Sequence, residues 1–198
     1  MPVVALALVA VLLASASVQV LLASRAARAS RFRLLGDRRF SAEWCSSWLV
    51  LAGFACAAAG PAADLLGLVA PIAVLDRLPV QVAGIVVWCA AAVLARASQM
   101  TLGRSWRIGV VPAEHEALVL RGPYRVVRHP VYTALAAMLA GAALTDPTWI
   151  AASAAPLAFA GWEILARRVE EPHLIANHPE YAAYRSRAGR FVPVIGRV

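Results

Sequence analysis

The sequence predicts an all-α integral membrane protein with about five transmembrane helices and a C-terminal cytoplasmic helical tail. Of its 198 residues, 61% are hydrophobic and only 15% are charged, far from the soluble globular average. The apolar residues gather in runs close to the length a bilayer core demands, about 20 residues per helix. All nineteen basic residues are arginine, clustered between those runs. The net charge of +8 therefore forms no single basic face, and nucleic acid is set aside as a partner.

The first run, residues 3–23, has no basic segment before it and is longer than a signal-peptide core, so it reads as a retained span. Residues 44–59 and 80–97 form the second and third runs, 131–144 a short fourth, and 148–166 a fifth. The piece LLGLVAPIAVL, 65–75, is short, contains Pro71 and is flanked by Asp64 and Asp76; an interfacial or re-entrant segment fits it better than a sixth span. Asp146 followed by Pro147 reads as a helix N-cap with proline at the first helical position, making the last two spans a tight antiparallel hairpin. Trp44, Trp48, Trp149 and Trp162 read as interface-belt residues. Cys45, Cys56 and Cys89 lie inside apolar runs without metal-ligand or CxxC spacing and read as packing residues. No repeat or linker divides the chain, so residues 1–198 form one domain.

Charge asymmetry sets the orientation. Residues 25–39 hold six arginines, and residues 96–128 hold six more. The connection 60–79 carries only Arg77 against Asp64 and Asp76, and the last turn only Asp146. With five spans, both arginine-rich connections and the C-terminal tail share one face, which the positive-inside rule makes cytoplasmic. The N-terminus is then outside.

Two polar clusters fall on that face: RGPYRVVRHPVY (121–132), before the fourth run, and RRVEEPHLIANHPEYAAYRSR (167–187), after the fifth. The hairpin brings them together. Pro130 suits the first turn of a helix, which puts Arg128 and His129 at the positive end of its dipole, where free N–H groups offer an anion site. Glu170 and Glu171 offer acceptors for an ammonium or for ribose hydroxyls. A pocket with both signs at the membrane edge suits a zwitterionic, water-borne cofactor. The competing reading is structural: arginine and tyrosine anchor helix ends at interfaces, and His129 caps the helix start. Glu163, inside the fifth run, is a functional candidate by position but reads best as a helix pair with Arg167. His173 and His178 have no companion ligand, so no metal site is expected.

The order GPY-x-x-x-RHP-x-Y, followed by EE-x-x-L and EY-x-x-Y, resembles the isoprenylcysteine carboxyl methyltransferase family and related integral-membrane methyltransferases. The resemblance covers about residues 98–198, the expected catalytic half, and includes LGRSW (102–106) and EALVLRGPY (116–124). It implies S-adenosylmethionine as methyl donor, bound from the cytosol, and a lipophilic acceptor entering from the bilayer: a carboxylate, a phenolic hydroxyl or an amine. It also implies cofactor-binding roles for Leu118, Val119, Tyr124, His129, Pro130, Tyr132, Glu170 and Glu171, with Tyr181 and Tyr184 packing over the pocket.

Three positions depart from the family pattern. Ala134 stands where glycine is frequent, and Glu116, preceded by His115, where a cofactor-contacting histidine is common. Ala166 stands where an acceptor-orienting arginine is usual, with Arg167 and Arg168 following it. A carboxylate acceptor needs no general base, whereas a phenol or alcohol needs its proton removed or its anion stabilised. Arg128 and Arg168, with His129, are the candidates for that work. The related membrane sterol-type reductases, using NADPH, and a non-catalytic membrane protein are the alternatives. The alanine-rich, arginine-only composition points to a bacterial inner membrane and to a small lipid acceptor.

Overall fold

The computed structural model describes residues 1–26, 39–103 and 118–197. Among these the secondary structure is helical, with no β-strand and a single isolated bridge between Val127 and Gly189. The arginine-rich connection after the first helix, and the segment holding His115 and Glu116, lie outside the described residues.

Helix α1 covers Pro2–Ala26 and α2 covers Ala42–Leu65. The start of α2 is set by Ser41, whose hydroxyl accepts from the Trp44 N–H at 3.1 Å, satisfying one of the orphan donors of a helix N-terminus. Helix α3, Leu78–Leu102, carries proline in its first turn and ends at Gly103, whose φ of +54° suits a residue without Cβ. The stretch between α2 and α3 is an irregular connection, not a helix, and its Ile72 N–H donates to Pro147 O at 2.7 Å. That tie seats it against the turn between the last helices.

Helix α4, Pro130–Thr145, is followed by α5, Trp149–Ala152, and α6, Ala154–Leu165. The cap of α5 corrects the sequence expectation. Thr148, not Asp146, is its N-cap, accepting from the Ala151 N–H at 3.1 Å, while Asp146 closes the C-terminus of α4. The break between α5 and α6 precedes Pro156, which has no N–H for the carbonyl four residues earlier. Helix α6 does not stop near Ala166. It runs through a π-turn, Ala166–Glu170, into α7, Glu171–Asn177, and α8, Tyr181–Arg185, follows.

The bundle is built from two closely packed pairs, α3 with α4 and α2 with α6. Small residues make the approach possible, as expected where lipid supplies no hydrophobic drive between helices. A Cβ on Gly84 would lie 2.6 Å from Gly141 O, and one on Gly53 would lie 2.7 Å from Ala154 O. Three helical stretches, Ala42–Leu65, Leu78–Leu102 and Trp149–Asn177, are long and apolar enough to cross a membrane, with Pro2–Ser15 and Pro130–Thr145 as shorter apolar helices. Val82, Val86 and Val93 stand exposed along α3, a surface that suits lipid rather than water.

Candidate active site

Close contacts place the polar chemistry at one end of the bundle. Gly161, near the end of α6, lies against Ser46 at the start of α2, and Gly122 lies against Thr101 at the end of α3. The start of α4 is at this end too. Before it, Gly122–Arg125 forms one 3₁₀ turn, entered through Gly122 at a φ of +58°. The chain then pairs briefly with the returning C-terminal tail: Arg128 N–H donates to Gly189 O at 2.8 Å and His129 N–H to Arg190 O at 3.0 Å. These N–H groups are therefore not free for an external anion. The carboxylates beside the α4 start are the protein's own.

Arg128 is buried, and its five N–H donors are all engaged. Nε and Nη2 donate to Glu171 Oε1 at 3.0 and 2.9 Å, Nη1 to Ala188 O at 2.6 Å and Arg185 O at 3.3 Å, and Nη2 to Gly196 O at 3.1 Å. This arginine clamps the tail to α7 and keeps no donor for an acceptor. Arg168 is exposed in the π-turn and forms no hydrogen bond or ion pair with the described residues.

His129 sits between the two glutamates, with Nδ1 3.3 Å from Glu170 Oε2 and Nε2 3.4 Å from Glu171 Oε1. It makes no side-chain cap bond to α4. Burial disfavours its protonated form, but the hydrogen bonds and charge of Glu170 and Glu171 outweigh burial and hold the imidazole above its ordinary value. Tyr132 donates to Glu170 Oε1 at 2.5 Å. Its ring stacks on His129 on one side, at 5.6 Å, and on Trp162 on the other, at 5.7 Å. Trp162 is thus a buried wall of the site and not an interface-belt residue, whereas Trp149 and Trp48 are exposed.

Glu171 is buried and paired with Arg128 and Arg190, the latter through both carboxylate oxygens at 3.0 and 3.1 Å. Glu163 accepts from Arg190 Nη1 at 2.8 Å, so its partner comes from the tail and not from Arg167 one turn on. Glu170 remains, with a side chain 18% exposed and no guanidinium partner among the described residues.

Beside this cluster, Tyr184 donates to Tyr124 O at 2.6 Å, and Tyr181, Tyr184 and Ala188 pack with Leu118 and Leu174. Burial pushes the Tyr184 phenol up to about 12, against the opposing effect of Arg128. Tyr124 is raised by burial, then by Tyr184 and Glu170. Both are neutral hydroxyls at physiological pH. Pro130 is buried at the first position of α4, Val119 is half-buried near Leu118, and Ala134 is buried in the core. Ala166 is buried inside the π-turn. His173 bonds to Asn177, and His178 lies 3.6 Å from Glu180. Among the described residues no group of three or more His, Cys, Asp or Glu gathers as a metal site.

Reading of the sequence missed Arg190 and Trp162 as site residues. Arg190 carries no local signal, since its importance arises only when the tail folds back.

Membrane-length helices with a buried network of carboxylates, histidine, tyrosine and arginine at one end define an integral-membrane protein with an enzyme-like site. More specifically, the chain belongs to the phospholipid methyltransferase family, whose model matches residues 80–182, just over half of the chain. The resemblance to integral-membrane methyltransferases carried by GPY, RHP and EE is borne out. The cobalt-zinc-cadmium resistance protein CzcN of Cupriavidus metallidurans is 35% identical over 98 residues, 48% of this chain and 45% of that protein. The chain therefore spans about half the length of this curated relative. No solved structure matches the chain.

Proposed function

We propose that the protein is a membrane-embedded methyltransferase that moves a methyl group from S-adenosylmethionine to a lipophilic acceptor. The observation that carries this reading is the juxtaposition of His129 and Tyr132, at the start of α4, with Glu170, on the helix that continues α6. Family membership supplies the class of chemistry. Five traverses of the membrane, with the arginine-rich connections and the tail on the cytoplasmic side of a bacterial inner membrane, put this cluster where a water-borne cofactor meets a lipid.

The residues present fit such a cofactor. Glu163 and Glu171 pair with the guanidiniums of Arg128 and Arg190, and Glu170 pairs with neither, so the three carboxylates leave the cluster one negative charge in excess when His129 is neutral. Glu170 is the carboxylate open to a cationic or hydroxylated ligand, and Tyr124, Tyr181 and Tyr184, with Leu118, offer an apolar surface bordered by hydroxyls. When bound, S-adenosylmethionine supplies an electrophilic methyl on sulfur, transferred by in-line displacement. The work left to the protein is alignment and exclusion of water. Tyr132 and His129 orient Glu170, and the Tyr132–Trp162 stack closes the side toward the membrane interior. Arg128 holds the tail over the site. Arg168, exposed with open donors, is the arginine assigned to an acceptor's polar group.

The test is calorimetric binding of S-adenosylhomocysteine to the detergent-purified protein and to Glu170→Ala, followed by transfer of labelled methyl groups into lipid extracts. Binding lost in the variant, with label entering the lipid fraction of the unmodified protein, is the expected result. Preference for NADPH, or no nucleoside binding, overturns the reading.

A further inference from the structure

The tail residue Arg190 is held by both its backbone and its side chain. Its own carbonyl accepts from His129 N–H at 3.0 Å, and its N–H donates to Ile195 O at 2.9 Å, so backbone bonds hold it on both sides. The following Phe191 packs on His129 at 5.6 Å and on Phe159 at 5.0 Å. Its carbonyl accepts from the Thr133 hydroxyl of α4 at 2.7 Å. The Arg190 guanidinium then grips Glu171 through two parallel bonds, the bidentate geometry that only arginine supplies, and reaches Glu163 with Nη1.

We propose that Arg190 is a positioning residue of the methyl-transfer site: by holding Glu171 and Glu163 it leaves Glu170, with His129 and Tyr132, as the acidic group free to meet the cofactor. This rests on the function proposed above. The charges facing His129 are Glu170 and Glu171 from the α6–α7 helix, and Arg128 and Arg190, which share Glu171 with it. Tyr132 and Phe191 flank its ring, and Tyr124 and Tyr184 lie beyond. Two guanidiniums against three carboxylates balance when His129 carries a proton. Without the Arg190 charge the cluster has an excess of two negative charges over a neutral imidazole. The imidazole then keeps its proton to higher pH, and Glu171 is free to compete with Glu170 for it.

The experiment follows two readouts in full-length protein in detergent: the His129 titration, by NMR of histidine-labelled protein, and the pH dependence of S-adenosylhomocysteine affinity. The variants are Arg190→Gln, Arg190→Lys and, as a control for tail packing, Phe191→Leu. In Arg190→Gln the His129 midpoint is expected to rise by about one pH unit or more, with affinity down roughly tenfold and its pH profile moved the same way. Arg190→Lys keeps the charge and is expected to restore the midpoint but not the full affinity, while Phe191→Leu, which removes a ring beside His129 but no charge, lowers thermal stability and moves the midpoint by less than Arg190→Gln. A His129 midpoint unchanged in Arg190→Gln, or moved equally by Phe191→Leu, overturns the proposal. If the unmodified protein binds no S-adenosylhomocysteine, the function proposed above fails, and the NMR titration still decides whether Arg190 sets the charge state of His129.

Discussion

Arg128→Met removes a guanidinium that is 1% exposed and makes five hydrogen bonds. The thioether approximates the shape but leaves Glu171 with Arg190 as its remaining guanidinium partner. It also frees the carbonyls of Arg185, Ala188 and Gly196. Breaking a buried ion pair by deleting one partner costs roughly 3–5 kcal/mol. Because Arg190 stays on Glu171 and the freed tail carbonyls can turn to water, the lower end applies, about 3 kcal/mol. For a chain of this size that corresponds to a fall in Tm of roughly 6–12 °C. The assay is thermal unfolding in one detergent at one scan rate, against Arg125→Met, which removes an exposed arginine from the neighbouring turn and should change stability by at most ~0.5 kcal/mol. Limited proteolysis after residue 185 should accelerate in Arg128→Met, since the clamp on the tail is gone. Equal Tm values for the two variants would refute the reasoning, because the Arg128 network would then contribute nothing beyond surface charge.

Further outcomes follow from the same geometry. Tyr132→Phe deletes the hydroxyl that donates to Glu170; a hydrogen bond to a charged group is worth about 1.5–3 kcal/mol, so calorimetry should show S-adenosylhomocysteine binding at least roughly tenfold weaker. His129 has a folded-state pKa above its unfolded value of 6.5. Its contribution to stability is therefore complete below that value and is lost as pH climbs through the folded-state pKa; Tm measured from about pH 6 to pH 9 should fall in the unmodified protein, and this slope should shrink in His129→Gln. Gly84→Val would drive a side chain into Gly141 O, 2.6 Å from where its Cβ sits. That overpacking costs about 1–3 kcal/mol, and Tm in detergent should fall while Ala83→Val, an exposed change on the same helix, leaves it unmoved.

Much of the site was legible before the fold. Proline after His129 marks a helix start, because its missing N–H is harmless there, and the RHP and EE groups were expected together because the last two spans form an antiparallel hairpin. The charge on Glu170 and the aromatic ring of Tyr132 needed no coordinates to be singled out. Partners were less legible. Glu163 was paired with Arg167 on helical spacing, yet Arg190 reaches it from 27 residues away. Spacing along one helix reports which side chains share a face, but it is silent about a tail that returns. Trp162 illustrates the same gap: tryptophan near a helix end has the composition of an interface anchor, and only the crossing of α4 and α6 buries it against Tyr132.

By itself the sequence determined the membrane character, the approximate bounds of the helices and the residue types of the site, because hydropathy over 20 residues and proline or glycine at helix ends act locally. The tertiary structure decided which groups are spent on architecture and which stay open. The continuation of α6 through a π-turn into α7 turns Glu171 inward and leaves Glu170 partly exposed, and the returning tail satisfies the N–H groups ahead of α4 and every donor of Arg128. A buried charge must find its partners wherever the chain delivers them, and for Arg128 that delivery depends on contacts up to 68 residues apart in sequence, beyond the reach of any local pattern.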